Sequence, residues 1–143
     1  MQMITVNWYG PYSLDEFDQY EISLRKGIYA IYRVYGGKEK LIYIGKTTRS
    51  FYQRMREHKR DWLWNIRGQL QVRVGLLEFV EKQRYSDRKL ADVEALLIVT
   101  HAPPENTTNA QYYYGREKLR VVSKGKRGEI RRLVSTEVHL EGV

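Results

Sequence analysis

Apolar positions along this chain change from alternate spacing to helical spacing and back, and those changes mark out its elements. Residues 4–8 read as a short strand, closed by a Gly10-Pro11 break. Ser13-Leu14-Asp15-Glu16 then has the spacing of a capping box, which predicts a short acidic helix. Residues 27–35 are rich in β-branched and aromatic side chains. Gly36-Gly37 supplies a turn and residues 41–45 return, which predicts an antiparallel hairpin. On a period of two, Tyr29 and Ile31 share one face of the first strand and Ile28 and Ala30 the other, so Tyr29 and Tyr43 project to one side.

Phe51, Met55, His58 and Trp62 recur at helical spacing, which predicts a helix over 50–65 with Arg54 and His58 one turn apart. Residues 70–80 read as a third strand. Ser86 is positioned to cap a second helix running to about residue 100. The apolar stripe of that helix is Leu90, Val93, Leu97 and Ile98, and Glu94 lies within it. A carboxylate there is costly unless cations or a metal meet it. After a Tyr112-Tyr113-Tyr114 run, residues 119–122 and 130–134 around Gly125-Lys126-Arg127-Gly128 suggest a basic hairpin. The predicted class is α+β: a small, mostly antiparallel three-stranded core sheet flanked by helices, with a C-terminal basic β-hairpin.

The chain has 143 residues and no cysteine, with a net charge of +8. That length suits one domain with a real core. The absence of cysteine excludes disulfides, thiolate zinc sites and cysteine nucleophiles. The amino end shows neither a basic leader nor an apolar one, and no stretch approaches the roughly 20 apolar residues that span a bilayer, so a cytoplasmic protein is the expectation. The positive balance favours a polyanionic partner, DNA foremost. Asp15, Glu16, Asp18 and Glu21 cluster near the start, whereas 46–73 and 116–132 are basic, which predicts an uneven cationic surface.

Gly27-Ile28-Tyr29, Tyr43-Ile44-Gly45, Arg54 with His58, Glu94, and Asn106 after Pro103-Pro104 form one spaced pattern. It resembles the GIY-YIG endonuclease family. Glu94, Ile98, Pro103 and Asn106 also reproduce that family's E-x3-I-x4-P-x2-N run without a gap. The resemblance covers 27–106, leaving 1–26 and 107–143 as extensions of a single domain.

Phosphodiester hydrolysis needs a nucleophilic water, a proton acceptor, counter-charge for the phosphoryl oxygens and stabilisation of the leaving oxygen. Glu94 is a hard oxygen ligand, and Mg²⁺ commonly takes one or two protein carboxylates and keeps several waters; Mn²⁺ is expected to substitute. Arg54 matches phosphate geometry in a way that lysine cannot. The resemblance implies that Tyr29 positions or deprotonates the water, with its phenolate stabilised by Arg54, Lys46 or the metal and with His58 accepting or relaying the proton. Tyr43 is expected to orient phosphate or water, and Asn106 to hold local geometry.

Each residue has a bland alternative: Tyr29 and Tyr43 as ordinary strand aromatics, Arg54 and His58 as a solvated helix face, Glu94 in a core salt bridge. Together at family spacing, these alternatives weaken. Lys46 and Arg49, after the second hairpin strand, and Lys124, Lys126 and Arg127 in the terminal turn are candidate DNA contacts. Trp62, Trp64 and Phe51 read as core rather than as stacking platforms, and His101 and His139 lack ligand-spaced companions. The expected activity is a Mg²⁺-dependent DNA endonuclease using direct water attack. A homodimer or protein partner would help to choose the target. The competing reading is a nucleic-acid-binding module of the same fold, silent or activated by a partner.

Overall fold

The computed structural model describes residues 1–80, 83–107, 113, 115 and 118–137. In chain order the elements are β1 (Gln2–Ser13), β2 (Gly27–Tyr35), β3 (Lys38–Thr47), α1 (Phe51–Asp61), β4 (Gln69–Glu78), α2 (Asp87–His101), β5 (Leu119–Gly125) and β6 (Leu133–Ser135). Short 3₁₀ turns occupy Phe17–Gln19, Glu21–Leu24 and Leu63–Asn65.

The strands form one mixed, six-stranded sheet in the order β3-β2-β4-β1-β5-β6, which replaces the expected three-stranded antiparallel core. β2 and β3 make the expected hairpin, and β4 lies antiparallel to both β2 and β1. The difference arises at β1, which also pairs in parallel with β5 from Gln2↔Leu119 to Trp8↔Gly125. The amino-terminal strand and the predicted basic hairpin of β5 and β6 therefore extend the central sheet instead of standing beside it.

Three local expectations also change. β1 runs through Gly10-Pro11 as a register shift between Tyr9 and Tyr12; proline has no amide hydrogen for the ladder, so an irregularity there preserves the pairing on either side. Ser13 pairs with Gln71 as the last residue of β1 and is not free to cap a helix, so two 3₁₀ turns form in place of the predicted acidic helix. Leu14, in the turn just before the first of them, and Phe17, at its start, are both buried in one core. Finally, α1 ends at Asp61, and its last residues reappear as the 3₁₀ turn after Trp62.

One helix lies on each face of the sheet. On the α2 side, Ile4, Val6, Trp8, Ile28 and Ala30 pack with Leu90, Val93, Leu96 and Leu97. On the α1 side, Tyr29, Ile31, Val72 and Val74 pack with Phe51, Met55 and Leu63. Each fully buried apolar side chain of this kind contributes roughly 1.5–3 kcal/mol. Trp8 completes its burial by donating its indole N–H to Ser123 Oγ at 3.1 Å, tying β1 to β5 by side chains as well as by the ladder. Of the 112–114 run, Tyr113 packs partly buried on the α2-side core; Tyr112 and Tyr114 lie outside the described residues, as do Arg116 and His139. Among the described residues, no helix is long and apolar enough to cross a membrane.

Candidate functional site

The hairpin brings Tyr29 of β2 opposite Gly45 of β3. A Cβ at position 45 would stand 2.4 Å from the Tyr29 hydroxyl oxygen, so the glycine leaves the space the phenol ring occupies. A bulge at Ile42 turns both Ile42 and Tyr43 toward the α1 side, and the Tyr29 and Tyr43 rings stack with centroids 6.2 Å apart.

Above them lies α1, whose first turn is capped by Ser50 Oγ accepting from the Gln53 amide. The helix directs His58 down onto the tyrosines, where His58 Nε2 lies 2.6 Å from the Tyr29 hydroxyl oxygen. Trp62, one turn later, donates its indole N–H to His58 Nδ1 at 2.7 Å. The Tyr43 ring is edge-on to His58 and tilted against Trp62, closing an aromatic box around the imidazole.

Arg54 stands one turn before His58. Its Nη1 donates to Glu57 Oε1 at 3.0 Å, and the same carboxylate accepts both short bonds from Arg49 Nη2. These two guanidiniums hold the Glu57 carboxyl down at about 2, so it remains charged throughout the neutral range. Glu94 approaches from α2, capped by Ser86 in the same manner as α1. It is partly buried and lies beside Lys46.

Burial dominates the proton affinities here. It raises the Tyr29 phenol well above its ordinary value; Tyr43 and Glu94 add to that rise, and Arg54 opposes it. Tyr43 is raised for the same first reason, again against Arg54. His58 is pushed down to about 4 by burial and then by the Arg54 charge, so it is neutral at pH 7. Burial also raises the Glu94 carboxyl, while Lys46 and Arg54 pull it back. A cation near Glu94 would relieve both the carboxylate and the phenolate.

The fold thus gathers Tyr29, Tyr43, Arg54, His58 and Glu94 where β3 meets both helices. Asn106 stands just outside that group. Its Oδ1 accepts from the Ile44 amide and its Nδ2 donates to the Ile44 carbonyl, both at 2.9 Å, so its polar atoms hold edge strand β3 and do not reach Tyr29. Lys46 and Arg49 lie beside the site at the end of β3. Lys124, Lys126 and Arg127 do not; the turn they belong to folds back over Tyr32 and Arg73 and meets β3 at Leu41, whose amide donates to Glu129, rather than at Lys46. Their turn is folded down: Lys124 pairs with Glu78 at 3.0 Å, Arg127 donates to the Ile130 carbonyl, and Arg73 takes the Lys126 carbonyl. His101 also has a structural place, accepting the Arg131 amide at Nε2.

Two contributors escaped the sequence reading. Glu57 was not singled out by any pattern, and Trp62 read as core; the signal available for Trp62 was its four-residue spacing from His58. Among the described residues, no cluster of three or more histidine, cysteine or acidic side chains stands ready for a metal; Glu94 is a carboxylate of the gathered group that could hold one.

Comparison with curated proteins and with solved structures returned no match. A family model for the GIY-YIG catalytic domain matches residues 25–109, which include every residue of the gathered site. With more than half of its length matched by that model, the chain belongs to the GIY-YIG catalytic domain family.

Proposed function

We propose that this protein is a Mg²⁺-dependent DNA endonuclease that hydrolyses a phosphodiester bond by direct attack of water. The observation that carries this reading is the convergence of Tyr29, His58, Arg54 and Glu94 from a strand and two helices onto the end of β3. Membership of a nuclease family supplies the reaction class.

In this reading Arg54 binds the scissile phosphate and offsets charge on its non-bridging oxygens. Tyr29, as phenolate, takes a proton from the attacking water while the new oxygen–phosphorus bond forms and the bond to the 3′ oxygen breaks. The leaving oxygen is reprotonated from solvent. Tyr43 orients phosphate or water against Tyr29. Glu94 would hold the divalent ion, whose chemistry when bound is Lewis-acid relief of charge on the phosphate and leaving oxygens. A single carboxylate fits that role, because Mg²⁺ commonly keeps most of its waters. Lys46 and Arg49 would contact flanking phosphates at the site, and Lys124, Lys126 and Arg127 would meet DNA farther along its path. A second copy or a partner protein would add to target choice.

Incubating supercoiled plasmid with the purified protein and Mg²⁺ or Mn²⁺, followed by end mapping, tests the reading. Nicking or linearisation that needs the metal and leaves 5′-phosphate ends is expected. A mobility shift with no cleavage under either metal would instead identify a binding module.

A further inference from the structure

We infer that Trp62 fixes His58 as the Nε2–H tautomer, making the histidine a hydrogen-bond donor to Tyr29 and Trp62 a positioning residue for the proposed base. This rests on the nuclease reading for its catalytic meaning, but the tautomer assignment stands on geometry alone. An indole N–H can only donate, so the 2.7 Å bond from Trp62 Nε1 requires a lone pair on His58 Nδ1. A neutral imidazole then carries its proton on Nε2. That nitrogen is 2.6 Å from the Tyr29 oxygen and donates to it.

The consequence reverses the role in which His58 accepts the tyrosine proton. With Nδ1 occupied by Trp62 and Nε2 already protonated, His58 has no free lone pair for that proton. It stabilises a phenolate by donation, and because Tyr29 is itself fully buried the phenol proton reaches water past the half-buried Tyr43 stacked on it rather than through the imidazole. The imidazolium form is disfavoured by the same arrangement, since a proton on Nδ1 would face the indole N–H. The other groups facing Tyr29 divide by sign: Tyr43 from β3 and Glu94 from α2 disfavour the phenolate, and Arg54 from α1 favours it. Around His58, Arg54 opposes protonation and Glu57 and Asp61 favour it. Trp62 adds to this balance by orienting a dipole, with no charge of its own.

Long-range ¹H–¹⁵N correlation spectra of the wild-type protein test the tautomer directly, because they distinguish a protonated ring nitrogen from one bearing a lone pair. Protonated Nε2 and unprotonated Nδ1 for His58 are expected; the opposite pattern overturns the inference whether or not the protein cleaves DNA. Trp62→Phe keeps an aromatic ring against Tyr43 and removes only the donor. In folded Trp62→Phe, we expect a mixed His58 tautomer, a fall in kcat of at least about tenfold with KM held, and a rising limb of the pH–rate profile displaced to higher pH. An unchanged rate and unchanged limb would remove Trp62 from the chemistry. Wild-type protein that shows the Nε2–H tautomer but no cleavage would sink the nuclease reading while sustaining the tautomer assignment.

Discussion

Asn106 grips Ile44 at both of its main-chain polar groups, and so holds the strand residue between Tyr43 and Gly45. β3 is an edge strand, and the Ile44 amide and carbonyl would otherwise face outward without a ladder partner. The neighbouring Glu105 amide extends the seam by donating to the carbonyl of the bulged Ile42. The turn after Pro103-Pro104 thus closes the sheet edge that carries the site.

Asn106→Ala is therefore expected to act through position. Losing two hydrogen bonds to a partly buried strand should lower unfolding stability by about 1–3 kcal/mol. Urea denaturation measures that loss, and kcat should fall more than KM rises. A variant with wild-type stability and no activity would mean that Asn106 touches substrate, contrary to its partners here.

Glu94→Gln should reduce cleavage below about 1% of wild type and weaken Mg²⁺ binding measured by calorimetry in the absence of DNA. The sign of the stability change follows from burial. Because folding raises the Glu94 carboxyl, the ionised form is less favourable in the folded chain than in the unfolded one. That cost is absent at low pH, where both states are protonated; it grows as pH rises through the unfolded value and is complete above the folded one. Without metal, the glutamine variant should gain in melting temperature over wild type as pH is raised from 4 to 7. A gap that narrows over that interval would contradict the raised carboxyl.

Arg54→Lys should cost at least about 100-fold in rate, since phosphate stabilisation depends on the guanidinium fork as well as on charge. The bond to Glu57 shows the fork already oriented before substrate arrives. Single-turnover cleavage within about threefold of wild type would reduce Arg54 to a steering charge.

For the distal basic turn, Lys124→Ala with Lys126→Ala is the appropriate pair; Arg127 is left in place because its guanidinium donates to the Ile130 carbonyl within the turn. If DNA reaches this turn, each lost phosphate contact flattens the slope of log K against log salt by about 0.9, so a decrease of up to roughly 1.8 is expected, with cleavage at saturating DNA unchanged. An unaltered slope would confine DNA to the side of the sheet that carries Lys46 and Arg49.

Much of this protein is determined by relations a few residues long. The hairpin carrying Tyr29 and Tyr43, the Ser50 and Ser86 caps, the four-residue spacing of Arg54 and His58 and the place of Glu94 in an apolar stripe all follow from local periodicity and local hydrogen bonding. Those relations placed five members of the site on their elements, and the resemblance of their spacing to the GIY-YIG family grouped them into one site. The tertiary structure decided what depends on partners distant in sequence or on side-chain rotamers. The parallel pairing of β1 with β5 joins opposite ends of the chain and converts a predicted three-stranded core into a six-stranded sheet. Pairing of Ser13 with Gln71 takes away a residue that reads locally as a helix cap. Asn106 could be assigned to the site by pattern, but its attachment to Ile44 exists only once the turn after α2 returns to the edge of β3. Trp62 and His58 share the spacing of one helical turn, yet whether the indole N–H reaches His58, and at which ring nitrogen, depends on rotamers chosen by packing against Tyr43, which no spacing rule specifies.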